Sequence, residues 1–177
     1  MLRKVTIENG IIQGFSGGDP RITVFKGVPY AEPPVGALRW KAPCPKSDWV
    51  GVHKADTFPP MEVQTQPGTV GFRLNVFSFL AHPELTAENP DGCHANYGLE
   101  DIVFALKWIQ RNIGAFGGDP SRVTIGGQSG GALGVISLCA SPMAKGLVSG
   151  AIAQSGGGLR AFGYFQRLPC LSTAMHS

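Results

Sequence analysis

A serine set between glycines is the group in this sequence best suited to covalent chemistry. Gly127-Gln128-Ser129-Gly130-Gly131 lies between a β-branched run at 122–125 and an apolar stretch of helical character at 132–139. A strand breaking sharply into a helix at such a serine is a nucleophile elbow. Its backbone is strained, and glycine is needed where the neighbouring chain passes too close for a Cβ. Ser129 would project its Oγ into a cleft. The N–H of Gly130 would face a developing oxyanion, with the helix N-terminus behind it. At this glycine content, composition alone supplies roughly 0.2 such patterns; the sequence holds two. Gly14-Phe15-Ser16-Gly17-Gly18 is the other, between two strand-like runs with no helix after it, so Ser16 reads as part of a hairpin turn. Context selects Ser129.

The elements that must position this serine follow from hydrophobic period. Residues 5–15 and 21–28 alternate as an antiparallel hairpin turning at 16–20. Residues 27–40 are rich in proline and read as an extended surface segment, an ordered loop or a polyproline ligand. Residues 69–81 open like a buried strand that His82-Pro83 ends, and 84–95 are polar and loop-like. From Tyr97, the positions Leu99, Ile102, Val103, Leu106, Gln110 and Ile113 share one helical face, widened by Phe104, Trp108 and Ile109. A helix this apolar is covered on more than one side, as a crossover helix is. The Gly-Gly-Asp-Pro at 17–20 recurs at 117–120, each time before a β-branched strand, as one turn chemistry used twice. After the elbow helix, 151–154 is another short strand. Strands alternating with helices imply an α/β fold with a mostly parallel sheet, here preceded by the N-terminal hairpin.

The length of 177 residues, 43% of them hydrophobic, suits a single domain with a sizeable core. Within it, residues 1–60 form the hairpin and proline-rich loop, 68–158 the βαβ core with the elbow, and 159–177 an unassigned tail. The net charge of +3 is modest and its basic residues are dispersed, which argues against nucleic acid as a partner. No uncharged apolar run reaches membrane-spanning length, and residues 1–8 hold no apolar signal region, so the reading is cytoplasmic with no membrane partner. Cys44, Cys93, Cys139 and Cys170 are widely spaced without a C-x-x-C pair. They read as unpaired thiols in a reducing compartment rather than as a disulfide framework or a metal site. No cofactor or metal is expected, and the oligomeric state stays open.

Several blocks, in order, carry a resemblance. They are Phe25-Lys26-Gly27-Val28-Pro29-Tyr30-Ala31 with Pro33-Pro34-Val35-Gly36 and Leu38-Arg39; Asn96-Tyr97-Gly98 with Asp101; Phe116-Gly117-Gly118-Asp119-Pro120; Val123-Thr124-Ile125 through Gly131; and Ala151-Ile152-Ala153-Gln154-Ser155-Gly156. With them the sequence resembles the type B carboxylesterases, the cholinesterase-like branch of the α/β-hydrolases, over 5–58 and about 72–158. The resemblance implies a partial α/β-hydrolase fold and two-step acyl transfer on a small ester. Ser129 matches the nucleophile and Gly130 the oxyanion donor; Asn96, Asp101 and Asp119 match scaffold positions. Gln128 takes a position often acidic in the cholinesterase branch. Its neutrality points to uncharged rather than cationic, choline-like esters.

The sequence departs from that family in three places. A serine hydroxyl needs a histidine to take its proton and a carboxylate to orient the imidazole, and this fold supplies them in the order serine, acid, histidine. All 12 acidic residues lie at or before Asp119, and the one histidine after Ser129 is His176. Neither acid nor histidine partner is identified; His82 and His94 precede the serine, against the order of the fold. The family's His-Gly-Gly-Gly oxyanion loop is missing, and Gly156–Gly158 follows the elbow and cannot replace it. Losing one oxyanion donor costs about 3–4 kcal/mol of transition-state stabilisation. Several dozen residues are missing between Phe58 and Val70, including a strand that separates the ones at Val70 and Val123. Those two strands must pair directly or the sheet is poorly formed. Two readings remain: a serine carboxylester hydrolase whose chain is inactive alone, or a non-catalytic remnant or interaction module with a frame change behind its unmatched tail. Trp40, Trp49 and Trp108 read as core or loop anchors rather than as a cation-binding lining.

Overall fold

In the computed structural model, which describes residues 3–60, 72–88 and 96–156, the chain opens with two small hairpins rather than one. Strands β1 (Lys4–Ile7) and β2 (Gly10–Gln13) pair antiparallel, turning at Glu8-Asn9. Strands β3 (Phe15–Ser16) and β4 (Thr23–Val24) pair around the 17–20 turn. The single strand expected over 5–15 is therefore folded back on itself. Gly10, at φ 142°, admits that tight return where a side chain would be strained. The segment 27–45 is an extended loop with one 3-10 turn at Gly36–Leu38 and a bridge from Ala31 to Pro45. Strand β5 (Val52–Lys54) then joins β2 in parallel.

The expected strand at 69–81 is corrected in its described part. Asn75, at φ 54°, starts a one-turn helix α1 (Val76–Phe79); residues 69–71 lie outside the described residues. His82-Pro83 starts a helix instead of ending an element. Proline at the first helical position lacks only an N–H that would have no partner, and the His82 ring caps Glu84 in α2 (Pro83–Ala87). The loop read over 84–95 is thus helical where it is described; 89–95 lie outside.

Helix α3 (Tyr97–Asn112) carries the core. Glu100 in its first turn and Arg111 in its last suit the helix dipole. One side places Trp108 among Val5, Ile7, Ile12 and Ala55; another packs Val103 and Leu106 on Leu138 and Ala144. Each buried valine, leucine or isoleucine among these contributes about 1.5–3 kcal/mol, and cover on two sides is what the apolar arc demands. The end of α3 is tied to the first hairpin. The Asn112 Oδ1 accepts the Glu8 N–H at 2.9 Å, and the Arg111 guanidinium pairs with the Glu8 carboxylate at 2.7 Å.

Two repeated turns have identical wiring. The Asp19 carboxylate accepts the Arg21 N–H, and the Asp119 carboxylate accepts the Ser121 N–H, both at 2.9 Å. In each, the Asp carbonyl also accepts the N–H three residues on. Asp119 opens a 3-10 turn at Pro120–Arg122, so strand β6 (Thr124–Gln128) starts later than 122 and runs to the elbow itself. Helix α4 (Gly130–Ala140) and strand β7 (Gly150–Gln154) follow, and β6 and β7 pair in parallel. Among the described residues, β6 has no strand on its other edge, and the strand expected at Val70 lies outside them. Residues 159–177 also lie outside. No helix among the described residues is long and apolar enough to cross a membrane.

Candidate active site

Ser129 stands at the β6–α4 junction with φ 53° and ψ −118°. A non-glycine residue pays for this left-handed conformation with strain of about 1–3 kcal/mol, which the surroundings must hold in place. Three contacts do so. The Ser129 N–H donates to the Gln154 carbonyl at the end of β7 at 2.9 Å, and its own carbonyl accepts the Leu133 N–H at 3.2 Å as the first bond of α4. Gly127 lets the helix return over the strand, since a Cβ there would sit 2.2 Å from the Gly131 carbonyl oxygen. The helix is then seated by Ala132, Val135 and Leu138, all buried.

The N–H groups of Gly130, Gly131 and Ala132 precede that first helical bond. They are the donors a helix start leaves without an internal partner, and they carry its positive dipole end. Nothing lies within 4 Å of a Cβ built on Gly130. An oxyanion formed at Ser129 would meet such donors.

Two expectations about the elbow are corrected. Gly131 is not needed for close approach: a Cβ there meets nothing within 4 Å, because Gly127 is the crowded partner. Nor does Ser129 project into a cleft. It is exposed, as is most of β7, with Ile152 56% accessible. A parallel strand pair is ordinarily covered on both faces, whereas here α4 covers one. A cleft of about 460 Å³ lies elsewhere, between the proline-rich loop and Phe72, Arg73 and Phe77.

Among the described residues, no histidine or carboxylate hydrogen-bonds to Ser129. His82 is occupied as the α2 cap, and His53 lies on β5 with its ring 5.3 Å from that of Trp49. His94 and His176 lie outside the described residues. The Asp119 carboxyl is held below its ordinary value by the hydrogen bond from the Ser121 side chain, consistent with a turn former. Ser16 belongs to β3, its hydroxyl turned to the Gly17 carbonyl. Trp40 and Trp49 are anchors, donating their indole N–H groups to the Val76 and Ile11 carbonyls; Trp108 is core. Cys44 and Cys139 are free thiols, and Cys93 and Cys170 lie outside the described residues.

Sequence reading missed a buried polar knot. Arg73, 2% exposed, donates from Nε and its own N–H to one Asp101 oxygen and from Nη2 to the other at 2.6 Å. Its Nη1 donates to the Lys41 carbonyl, and its guanidinium lies over the Tyr97 ring. Beside it the Gly98 N–H donates to Ser78 Oγ at 2.9 Å. A lone arginine inside an apolar run was the available signal. Asp101 is thus a scaffold residue.

A family model described as the carboxylesterase family matches residues 2–71 and 68–167. The chain belongs to that family. It is 30% identical to fumonisin B1 esterase of Sphingopyxis macrogoltabida across 85% of this chain and 39% of that protein. It is 34% identical to phenmedipham hydrolase of Pseudarthrobacter oxydans across 75% of this chain and 39% of the relative. Among solved structures, a PNB esterase superposes with a TM-score of 0.77 at 30% identity, covering 87% of this chain and 44% of the other. The fold is therefore part of an α/β-hydrolase, and the chain spans about two-fifths of the length of these relatives. The family match breaks at 68–71, beside the gap read from the sequence. The fumonisin esterase alignment runs over 213 residues, more than this chain contains, so that relative carries dozens of residues inside the matched span with no counterpart here.

Proposed function

We propose that this chain bears the nucleophile of a serine carboxylester hydrolase for small uncharged esters, and that by itself it does not turn such esters over. Ser129 is the nucleophile and the Gly130 N–H an oxyanion donor. In the reaction, Ser129 Oγ attacks the ester carbonyl, the tetrahedral adduct expels the alcohol, which carries off the serine proton and leaves an acyl-enzyme, and water then releases the acid. The observation that carries this reading is the strained Ser129 backbone at the N-terminus of α4, whose first helical bond is accepted by the Ser129 carbonyl. An elbow of this kind has a cost in strain and serves acyl transfer. Turnover also needs a base, and positioned proton transfer is worth about 10²- to 10⁴-fold; among the described residues none reaches Ser129.

A fluorophosphonate probe tests this. Slow phosphonylation mapped to Ser129 and absent in Ser129→Ala supports the nucleophile. A chain that stays unlabelled supports the second reading, a non-catalytic remnant or interaction module, which the exposure of Ser129 favours. We also place the chain in a reducing, cytoplasmic setting, supported by the exposed free thiol of Cys139. Its partner is the ester substrate, with no role for nucleic acid or membrane; the dispersed basic residues support the former.

A further inference from the structure

We infer that Gly156 is a positioning residue for the oxyanion donors, an inference that rests on Ser129 being the nucleophile. The first turn of α4 is bounded on two sides. On the β6 side stands Gly127, already crowded against the Gly131 carbonyl. On the other, the chain leaves β7 at Gln154, whose carbonyl holds the Ser129 N–H, and reaches Gly156 two residues later. A Cβ on Gly156 would lie 3.0 Å from the Ala132 Cβ, 3.0 Å from the Ile136 Cδ1 and 3.6 Å from the Ala132 carbonyl carbon.

Gly156 does not have a left-handed φ, so no positive φ demands glycine there. The demand for glycine is steric. Of the two neighbours, the Ile136 end can turn away, but the Ala132 methyl is fixed to the backbone of a fully buried residue. A side chain at 156 therefore pushes on the turn that carries the N–H groups of Gly130, Gly131 and Ala132. Cβ atoms built on Gly130 and Gly131 meet nothing within 4 Å, so the outer side of that turn is open, while Gly127 backs the Gly131 carbonyl on the inner side. Oxyanion donors work at 2.7–3.1 Å from the oxygen they stabilise, and a shift of a few tenths of an ångström leaves that window.

The test is a cycle of Gly156→Ala, Ala132→Gly and the double variant, read by the amide resonances of Gly130–Ala132 and by the rate of fluorophosphonate labelling. Gly156→Ala is expected to move those resonances and slow labelling about tenfold, since misplacement on the ångström scale costs about a hundredfold. The double variant, which gives the added methyl its room, returns the resonances toward their original positions and labelling to within about twofold. Unmoved resonances in Gly156→Ala, or no recovery in a folded double variant, overturns the inference. Should Gly156→Ala not fold, recovery of folding in the double variant supports it and continued failure overturns it. If the unsubstituted chain takes no label, the nucleophile reading fails instead, and the resonance cycle alone decides Gly156.

Discussion

The Ser129 N–H donates to the Gln154 carbonyl at 2.9 Å, one step beyond the last register pair of β6 and β7, Gln128 with Gln154. The strained residue is thus pinned by the neighbouring strand as well as by its own helix. Two strands and one helix suffice to build the elbow. A base and its carboxylate must come from elements beyond this unit, which separates the geometry of the nucleophile from its activation.

Gly127 and Gly131 look alike in the motif but differ in what surrounds them. Gly127→Ala puts a methyl 2.2 Å from a carbonyl oxygen that belongs to the helix backbone. It should destabilise the chain by about 1–3 kcal/mol or more and abolish labelling of Ser129. Gly131→Ala enters open space within a helix, where alanine is favoured over glycine by about 1 kcal/mol. Urea denaturation should show opposite signs for the two.

The Arg73–Asp101 pair is buried and bonded through both carboxylate oxygens. Removing one partner strands a charge, so Arg73→Met or Asp101→Leu should each cost about 3–5 kcal/mol. The double variant strands none and should lose well under the sum. A double-mutant cycle by urea denaturation measures the difference.

Stability should depend on pH through carboxylates of opposite sign. The Lys46 ammonium, followed by Ser47, draws Glu32 from 4.5 down to about 2, and the Arg111 hydrogen bond lowers Glu8 in the same direction. The Glu32 contribution is present above pH 4.5 and is lost as pH falls toward about 2, and Glu8 contributes with the same sign. Glu32→Gln should flatten that acid limb. Burial raises Glu100, so its ionised form disfavours the folded state. Glu100→Gln should stabilise the chain at pH 7, with the gain vanishing once Glu100 itself is protonated. Denaturation midpoints across pH check both.

Local pattern made much of this legible. The glycine-flanked Ser129 between a β-branched run and an apolar run located the elbow, and the 3.6-residue spacing from Tyr97 located α3 to its start. The paired Gly-Gly-Asp-Pro turns were visible because the chemistry of an Asp carboxylate two residues before an N–H is entirely local. Features set by distant partners were not visible. The stretch Val76–Phe79, apolar but for Ser78, fits strand or helix equally, and Asn75 decided between them through its backbone. Pro83 reads as a stop unless one knows that His82 caps the turn after it. The exposure of Ser129 depends on what lies over the β6–β7 sheet, and no spacing within the elbow encodes that.

Hydrolysis of p-nitrophenyl acetate by the purified chain and by Ser129→Ala measures the central claim most directly. An elbow without a base within reach predicts the same background rate for both proteins. Turnover that disappears in Ser129→Ala would contradict it.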